Sequence, residues 1–360
     1  MRYAFWPGCV SKGAAPELYQ SMVRVAPELG IELEELYDGN CTGAGVISEH
    51  SMETADALNA RNFAMAQRMD LPLINICSTC QGVQSLAQDR MRKRPELAAQ
   101  VNASLADEGL FYDAEKGLEV KNFLWVLVED LGLDKLKSMV KKPLTGLKVG
   151  PFYGCYILRP ENILGMDEHN ERDHYLEYVI EALGCTLITY EGQDKCCGFP
   201  ILTINKKNSL TLAANHLSSA QEEGADCLVT PCPLCHLNLD AQQPDAAKVV
   251  LVHRRLGVHR VVPHAVALPE VDRRGGHRAA AILGVHNRQG HCQRHALGDC
   301  RRGDEAGADV AAHDAAELQS VRAVRPVAWE RTGGLPGKGR AGGDGRRGGW
   351  DGTDVGALRR

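Results

Sequence analysis

Nine cysteines of this chain stand in two copies of one ladder: Cys9, Cys41 and Cys77-x-x-Cys80, then Cys155, Cys196-Cys197 and Cys232-x-x-Cys235. The interval to the middle rung is 31 residues in the first copy and 40 in the second. The interval from there to the closing C-x-x-C is 35 residues (42–76) against 34 (198–231). Chance rarely produces such spacing twice, so the chain is expected to build one scaffold, with one kind of site, two times over.

Hydrophobic periodicity says what that scaffold is. In the first half Arg2–Trp6 reads as an apolar strand, Ala14–Leu29 as a helix, Ile31–Leu36 as a strand, Met52–Arg68 as a helix, Leu71–Ile76 as a buried strand and Gln81–Met91 as a helix. The second half repeats the order: strand Leu147–Phe152, helix His174–Leu183, strand Thr186–Tyr190, helix Leu210–Gln221, strand Cys227–Thr230. The spacing therefore predicts an α/β protein of two tandem pseudo-repeated βαβαβ domains with parallel sheets. The first spans residues 1–112 and the second 147–247, joined by a connection over 113–146 that carries a helix at Val120–Leu131. In such sheets the carboxyl ends of all strands lie on one edge, and each rung of cysteine follows a strand, so each ladder converges on one point. Helix N-termini following several of these cysteines would favour an anionic thiolate cluster there.

Composition narrows the partners and the compartment. With 360 residues, each half is large enough to bury a core without a metal or disulfide staple. Thirteen cysteines are too few for a disulfide scaffold of this length, and Met1–Pro7 lacks the apolar core of a signal peptide, so a reducing cytoplasm is expected. There is no run of about 18 apolar residues, hence no spanning helix is expected. Up to Ala247 the chain carries 21 Lys and Arg against 34 Asp and Glu, a balance that argues against nucleic acid as a ligand. From Lys248 to Arg360 the balance reverses to 20 against 12. In that atypical tail (248–360) Arg replaces Lys, Gly and His crowd in, and no period is clear; it is expected to be disordered. A translated frameshift near residue 250 would explain the abrupt change, and a basic extension that binds an acidic partner is the alternative.

Thiolate ligands select zinc, Cu(I) or iron–sulfur clusters over hard cations. The first ladder offers four cysteines, the number for an ordinary [4Fe–4S] cubane, because Thr42 stands where the second ladder has Cys197. The second offers five, more than a tetrahedral zinc ion takes, which favours a multi-iron cluster. Cys185 and Cys227, in or beside strands, read as small buried hydrophobes, and Cys292 and Cys300 in the tail are given no role. His216 reads as a helix-face residue, and His236, next to Cys235, as a candidate donor to a cluster sulfur or substrate.

The motifs Pro7-Gly8-Cys9, Cys41-Thr42-Gly43-Ala44-Gly45, Cys77-Ser78-Thr79-Cys80, Tyr153-Gly154-Cys155, Cys196-Cys197-Gly198 and Pro231-Cys232-Pro233-Leu234-Cys235 resemble those of the cysteine-rich CCG proteins, typified by the B subunit of heterodisulfide reductase. The resemblance covers about residues 1–245. It implies a noncubane [4Fe–4S] cluster on Cys155, Cys196, Cys197, Cys232 and Cys235, at which a disulfide is split. It places a second cluster, of [4Fe–4S] type, on Cys9, Cys41, Cys77 and Cys80. The Cys-Thr-Gly-Ala-Gly run is more similar to the B subunits of heterodisulfide-reductase-like complexes of sulfur metabolism.

The chain is therefore expected to be an oxidoreductase subunit that reduces or oxidises a disulfide, persulfide or sulfane-sulfur substrate at the second cluster, with the first relaying electrons. No Gly-rich nucleotide fingerprint and no ferredoxin C-x₂-C-x₂-C run is present, so flavoprotein and ferredoxin-like iron–sulfur partner subunits are expected to supply those groups. No protein acid or base is identifiable. Two readings compete: an electron-relay subunit of a succinate dehydrogenase or hydroxy-acid (glycolate or lactate) oxidase complex, and a zinc-binding structural scaffold.

Overall fold

A computed structural model describes residues 1–249 and 261–263. Two sheets of four strands each form, and their orders match: β2-β1-β3-β4 in the first and β6-β5-β7-β8 in the second, with every pairing parallel. The strands are β1 Arg2–Trp6, β2 Glu32–Glu35, β3 Leu73–Asn75, β4 Val120–Asn122, β5 Lys148–Pro151, β6 Thr186–Leu187, β7 Cys227–Thr230 and β8 Val261–Pro263. The α/β class and the tandem parallel repeat are as expected. Each repeat is one strand longer than the βαβαβ unit read from periodicity.

The burial of each strand follows its place in the sheet. The central strands β1, β3, β5 and β7 are buried along most of their length, as parallel sheets covered on both faces require, whereas the edge strand β2 (Glu-Leu-Glu-Glu) alternates between exposed and half-buried positions. Helices cross over between strands, the longest being Pro16–Glu28, Met52–Arg68, Ser78–Lys93 and Lys206–Glu222. Ser51 caps Met52–Arg68 by accepting from the Thr54 N–H at 3.2 Å, which fixes that helix where the apolar spacing begins.

Three elements differ from the expected pattern. Val120–Leu131 does not run as one helix: Val120–Asn122 pairs with Leu73–Asn75 as β4, and helix starts only at Phe123 because the Asn122 side chain accepts from the Leu124 N–H at 3.0 Å. A π-helical stretch over Val126–Leu131 completes the segment. The strand read as Thr186–Tyr190 stops at Leu187, after which Tyr190 turns inward and is buried. Pro95–Leu105 adds a helix after Ser78–Lys93, opened by Pro95 at its first position.

The expected disordered tail lies outside the described residues apart from β8, which pairs with Leu228–Thr230 of β7 and holds the sheet position that β4 holds in the first repeat. The two halves do not keep separate cores. One cluster of buried side chains joins Phe5, Leu18, Ile74 and Trp125 to Tyr153, Leu176, Ile180 and Val229. A second joins Trp6, Phe63, Leu73 and Tyr112 to Phe152, Leu217, Leu228 and Leu239.

Candidate metal centres

Cys9, Cys77, Cys155 and Cys232 sit just past strand ends, while Cys41 and Cys196 lie further along the loops that follow β2 and β6. Cys9 opens the short helix Cys9–Gly13 just after β1, Cys77 follows β3, and Cys232 follows β7. Cys77 is the cap of helix Ser78–Lys93, its sulfur accepting from the Cys80 N–H at 3.4 Å, and Cys232 caps helix Pro233–His236. Two glycines are required by this crowding. Gly154 has φ 71°, and a Cβ there would lie 2.9 Å from the Cys235 sulfur. Gly198 has φ 90°, and its Cβ would lie 2.8 Å from the Ser209 carbonyl oxygen.

The structure gathers the nine ladder cysteines as a run of seven neighbouring sulfurs and a pair, Cys9 and Cys41, beside it. Cys9 Sγ and Cys41 Sγ are 3.6 Å apart. In the second ladder Cys155 neighbours Cys196, Cys196 neighbours Cys197, Cys197 neighbours Cys235 and Cys235 neighbours Cys232. The run passes from one half to the other at the C-x-x-C loops, where Cys232 neighbours Cys77 and Thr79 Oγ1 lies beside the Cys232 sulfur. Cys9 and Cys41 on one side and Cys155 and Cys196 on the other reach solvent, while Cys77, Cys80, Cys197, Cys232 and Cys235 are buried.

Backbone and hydroxyl donors point at the sulfurs. Gly43 N–H addresses Cys41, Gly198 N–H addresses Cys196 and Phe199 N–H addresses Cys197, each at 3.4 Å. Thr42, which replaces a cysteine, turns its Oγ1 to the Cys80 sulfur at 3.4 Å. Thr79 Oγ1 lies 3.2 Å from the Cys232 sulfur in the other half. Donors arranged in this way stabilise thiolate rather than thiol, so the donor set suits an anionic metal–thiolate group. Among the described residues, no three His, Cys, Asp or Glu side chains are arranged to hold a single metal ion.

As free thiols the rungs polarise one another. The hydrogen bond from Cys9 pushes Cys41 down to about 6 despite burial, and the same bond pushes Cys9 up. Cys196 is held far down by hydrogen bonds from Cys155 and then Cys197, and Cys155 is raised in return. Burial pushes Cys77 up; it acts against Cys232 as well, but hydrogen bonds from Cys235, Cys77 and Thr79 outweigh it there and Cys232 falls.

The remaining candidates fall into place around these sulfurs. His216, on the buried face of Lys206–Glu222, has Nε2 3.0 Å from the Cys196 carbonyl oxygen and its ring tilted on Phe152 at 5.3 Å; burial lowers its pKa. His236 is buried and its Nε2 lies 3.5 Å from Glu17 Oε1 of the first half. Cys227 is buried in the core and Cys185 packs against it, as expected of small hydrophobes. Cys292 and Cys300 lie outside the described residues.

Other groups that shape the site escaped the sequence reading. Asn238 Nδ2 donates to the Cys197 carbonyl at 2.6 Å, and Asn59 Nδ2 donates to the carbonyl of Thr42, the matching position, at 2.9 Å. Asn62 exchanges two hydrogen bonds with the Asn40 backbone beside Cys41. The available signal was the asparagines at 59 and 62 on the buried face of a helix, where such a residue needs a backbone partner.

Comparisons with known proteins agree with this geometry. The cysteine-rich domain family CCG matches residues 3–83 and 149–240, the two ladder segments. The chain is 36% identical over 256 residues to the 8-methylmenaquinol:fumarate reductase membrane anchor subunit of Wolinella succinogenes, covering 71% of this chain and 88% of the relative. It is 30% identical to a protein of Archaeoglobus profundus described as like the heterodisulfide reductase B subunit, over 68% of this chain and 82% of that one. It is 27% identical to the B subunit of the ferredoxin/F(420)H(2)-dependent CoB-CoM heterodisulfide reductase of Methanosarcina acetivorans, over 73% and 85%. A crystal structure of a hypothetical protein from Helicobacter pylori shares the fold, with a TM-score of 0.54 at 16% identity over 69% of this chain and 44% of that one. No helix among the described residues is long and apolar enough to cross a membrane. With two matched cysteine-rich segments and relatives of this kind across most of its length, the chain belongs to the CCG cysteine-rich domain family and is a heterodisulfide-reductase-B-like oxidoreductase subunit.

Proposed function

We propose that this chain is the iron–sulfur subunit of an oxidoreductase complex that reduces or oxidises a disulfide or sulfane-sulfur substrate. Cys155, Cys196, Cys197, Cys232 and Cys235 hold the reacting cluster, of noncubane type, and Cys9, Cys41, Cys77 and Cys80 hold a [4Fe–4S] relay. The observation that supports this reading above all is the approach of the two ladders at their C-x-x-C loops, with Thr79 Oγ1 of the first 3.2 Å from the Cys232 sulfur of the second. Iron–sulfur clusters, when bound, supply one-electron transfer at potentials tuned by their surroundings.

The chain's own residues set the surroundings. Buried Cys77, Cys80, Cys232 and Cys235 exclude water from the middle of the cysteine array, and the half-exposed Cys155 and Cys196 leave the second site open to a substrate sulfur. His216 and Asn238 grip the Cys196 and Cys197 carbonyls from two separate elements, so the adjacent cysteines keep their orientation. The exposed Cys9 and Cys41 end is where a ferredoxin-like iron–sulfur subunit and a flavoprotein subunit of the same complex would exchange electrons with the chain, in either direction.

The likeness to the fumarate reductase subunit of W. succinogenes favours a second reading, in which both clusters only relay electrons within a complex of that kind. Anaerobic purification followed by iron, acid-labile sulfide and zinc assay comes first; a colourless chain holding two zinc ions sinks both redox readings. Electron paramagnetic resonance of the partly oxidised protein then separates them. Disulfide or persulfide added at that point is expected to change the signal of the five-cysteine centre. An unchanged signal, together with co-purification of a flavoprotein dehydrogenase, selects the relay.

A further inference from the structure

The C-x-x-C loop of the first ladder does more than supply two of its own rungs. Ser78 and Thr79, the residues between Cys77 and Cys80, both reach into the second half: Ser78 donates its N–H and its hydroxyl to the Pro231 carbonyl, and Thr79 Oγ1 lies 3.2 Å from the Cys232 sulfur. Thr79 is buried at 8% exposure, and the Ser78 bonds fix the loop against the residue that precedes Cys232. We infer that the Thr79 hydroxyl is a positioning and tuning group for the five-cysteine centre, a hydrogen-bond donor that the first half lends to the second centre's ligand Cys232.

This rests on the proposed function, because it takes Cys232 as a cluster ligand. A metal-bound cysteine carries no proton, so between Thr79 Oγ1 and Cys232 Sγ only the hydroxyl can donate. Hydrogen bonds to ligand sulfurs withdraw electron density and stabilise the more negative, reduced state, so they raise the reduction potential. The contribution runs one way. The second loop reads Cys232-Pro233-Leu234-Cys235, so the position matching Thr79 is Leu234, which has no hydroxyl to return to the first centre. The first centre has a different donor, Thr42 Oγ1 on Cys80 at 3.4 Å. Each centre thus receives one threonine hydroxyl, and both threonines belong to the first half.

The test is a pair of crossed substitutions in the full chain, purified anaerobically and followed by redox titration with electron paramagnetic resonance. Thr79→Val keeps the shape and removes the donor; Thr79→Ser keeps the donor. Thr79→Val is expected to move the five-cysteine centre to a more negative potential and leave the four-cysteine centre in place, with Thr79→Ser restoring the parent value. Thr42→Val is expected to do the reverse, moving only the first centre. Should Thr79→Val fail to load its clusters, Thr79→Ala against Thr79→Ser gives the same contrast without the added methyl. A protein with full iron and sulfide whose second centre keeps its potential without the hydroxyl, or whose two centres shift together, overturns this inference alone. A chain that binds zinc in place of iron overturns it together with the functional reading.

Discussion

Ser78 hands two hydrogens to one acceptor: its N–H at 2.9 Å and its hydroxyl at 2.8 Å both meet the Pro231 carbonyl oxygen, 153 positions further along the chain. This paired donation fastens one C-x-x-C loop to the other. Ser78→Ala keeps the N–H contact and loses the hydroxyl, and is expected to cost about 1 kcal/mol of stability. Urea denaturation of the variant against the parent checks this, and a shift in the midpoint indistinguishable from zero would show the hydroxyl to be redundant.

Gly82 is a close approach of helix Ser78–Lys93 to the second half, where an added Cβ would stand 2.6 Å from the Tyr156 carbonyl oxygen. The obstacle is backbone, so the neighbour cannot simply rotate away. Gly82→Ala is expected to destabilise by roughly 1–3 kcal/mol, the usual cost of overfilling a packed contact. Trimming the side chain with Tyr156→Ala relieves the second contact, with Cδ1 at 2.8 Å, but leaves the peptide oxygen, so it should rescue only in part. Full recovery of stability in the double variant would show the peptide oxygen not to be the obstacle.

Cys197 distinguishes five thiolates from four. Cys197→Ser is expected to abolish the signal of the second centre while the first persists, and Thr42→Cys is expected to move the first centre toward the type of the second. Iron content with electron paramagnetic resonance reads both. Two intact centres in Cys197→Ser would remove the fifth ligand from the assignment.

Glu177 is buried and its pKa is raised by that burial, with the Tyr153 hydroxyl hydrogen-bonded to it pulling the other way. The folded state therefore holds a proton that the unfolded chain releases at the ordinary glutamate value. Stability is undiminished below that value and falls as pH rises from it through the raised folded pKa. Glu177→Gln, which keeps an oxygen for Tyr153, is expected to gain stability over the parent progressively across that window. Thermal melts at a series of pH values provide the comparison, and a difference that stays constant with pH would contradict the protonated carboxyl.

The strands and crossover helices were legible because their apolar spacing is local: Arg2–Trp6, Met52–Arg68 and Cys227–Thr230 have the bounds that periodicity alone assigns. β4 and β8 were not, since a three-residue edge strand has too few positions to show alternation, and Val120–Asn122 runs directly into an apolar helical segment. The nine rungs were readable from spacing, and the structure brings them together. The approach of the two C-x-x-C loops was hidden, because it depends on how one half packs on the other. His216 and Asn238 were missed as carbonyl anchors for a similar reason: a polar side chain on a buried helix face shows its need for a partner without showing which partner it finds.

The matching strand orders of the two sheets carry an evolutionary consequence. Two identical subunits around a twofold axis would have to carry the same residue at every equivalent position, so a threonine at one site would force a threonine at the other. Two copies in one polypeptide are free of that restriction, and the pairs Thr42 and Cys197, and Thr79 and Leu234, are places where the halves differ. Covalent linkage is what lets a duplicated scaffold divide labour between its two sites.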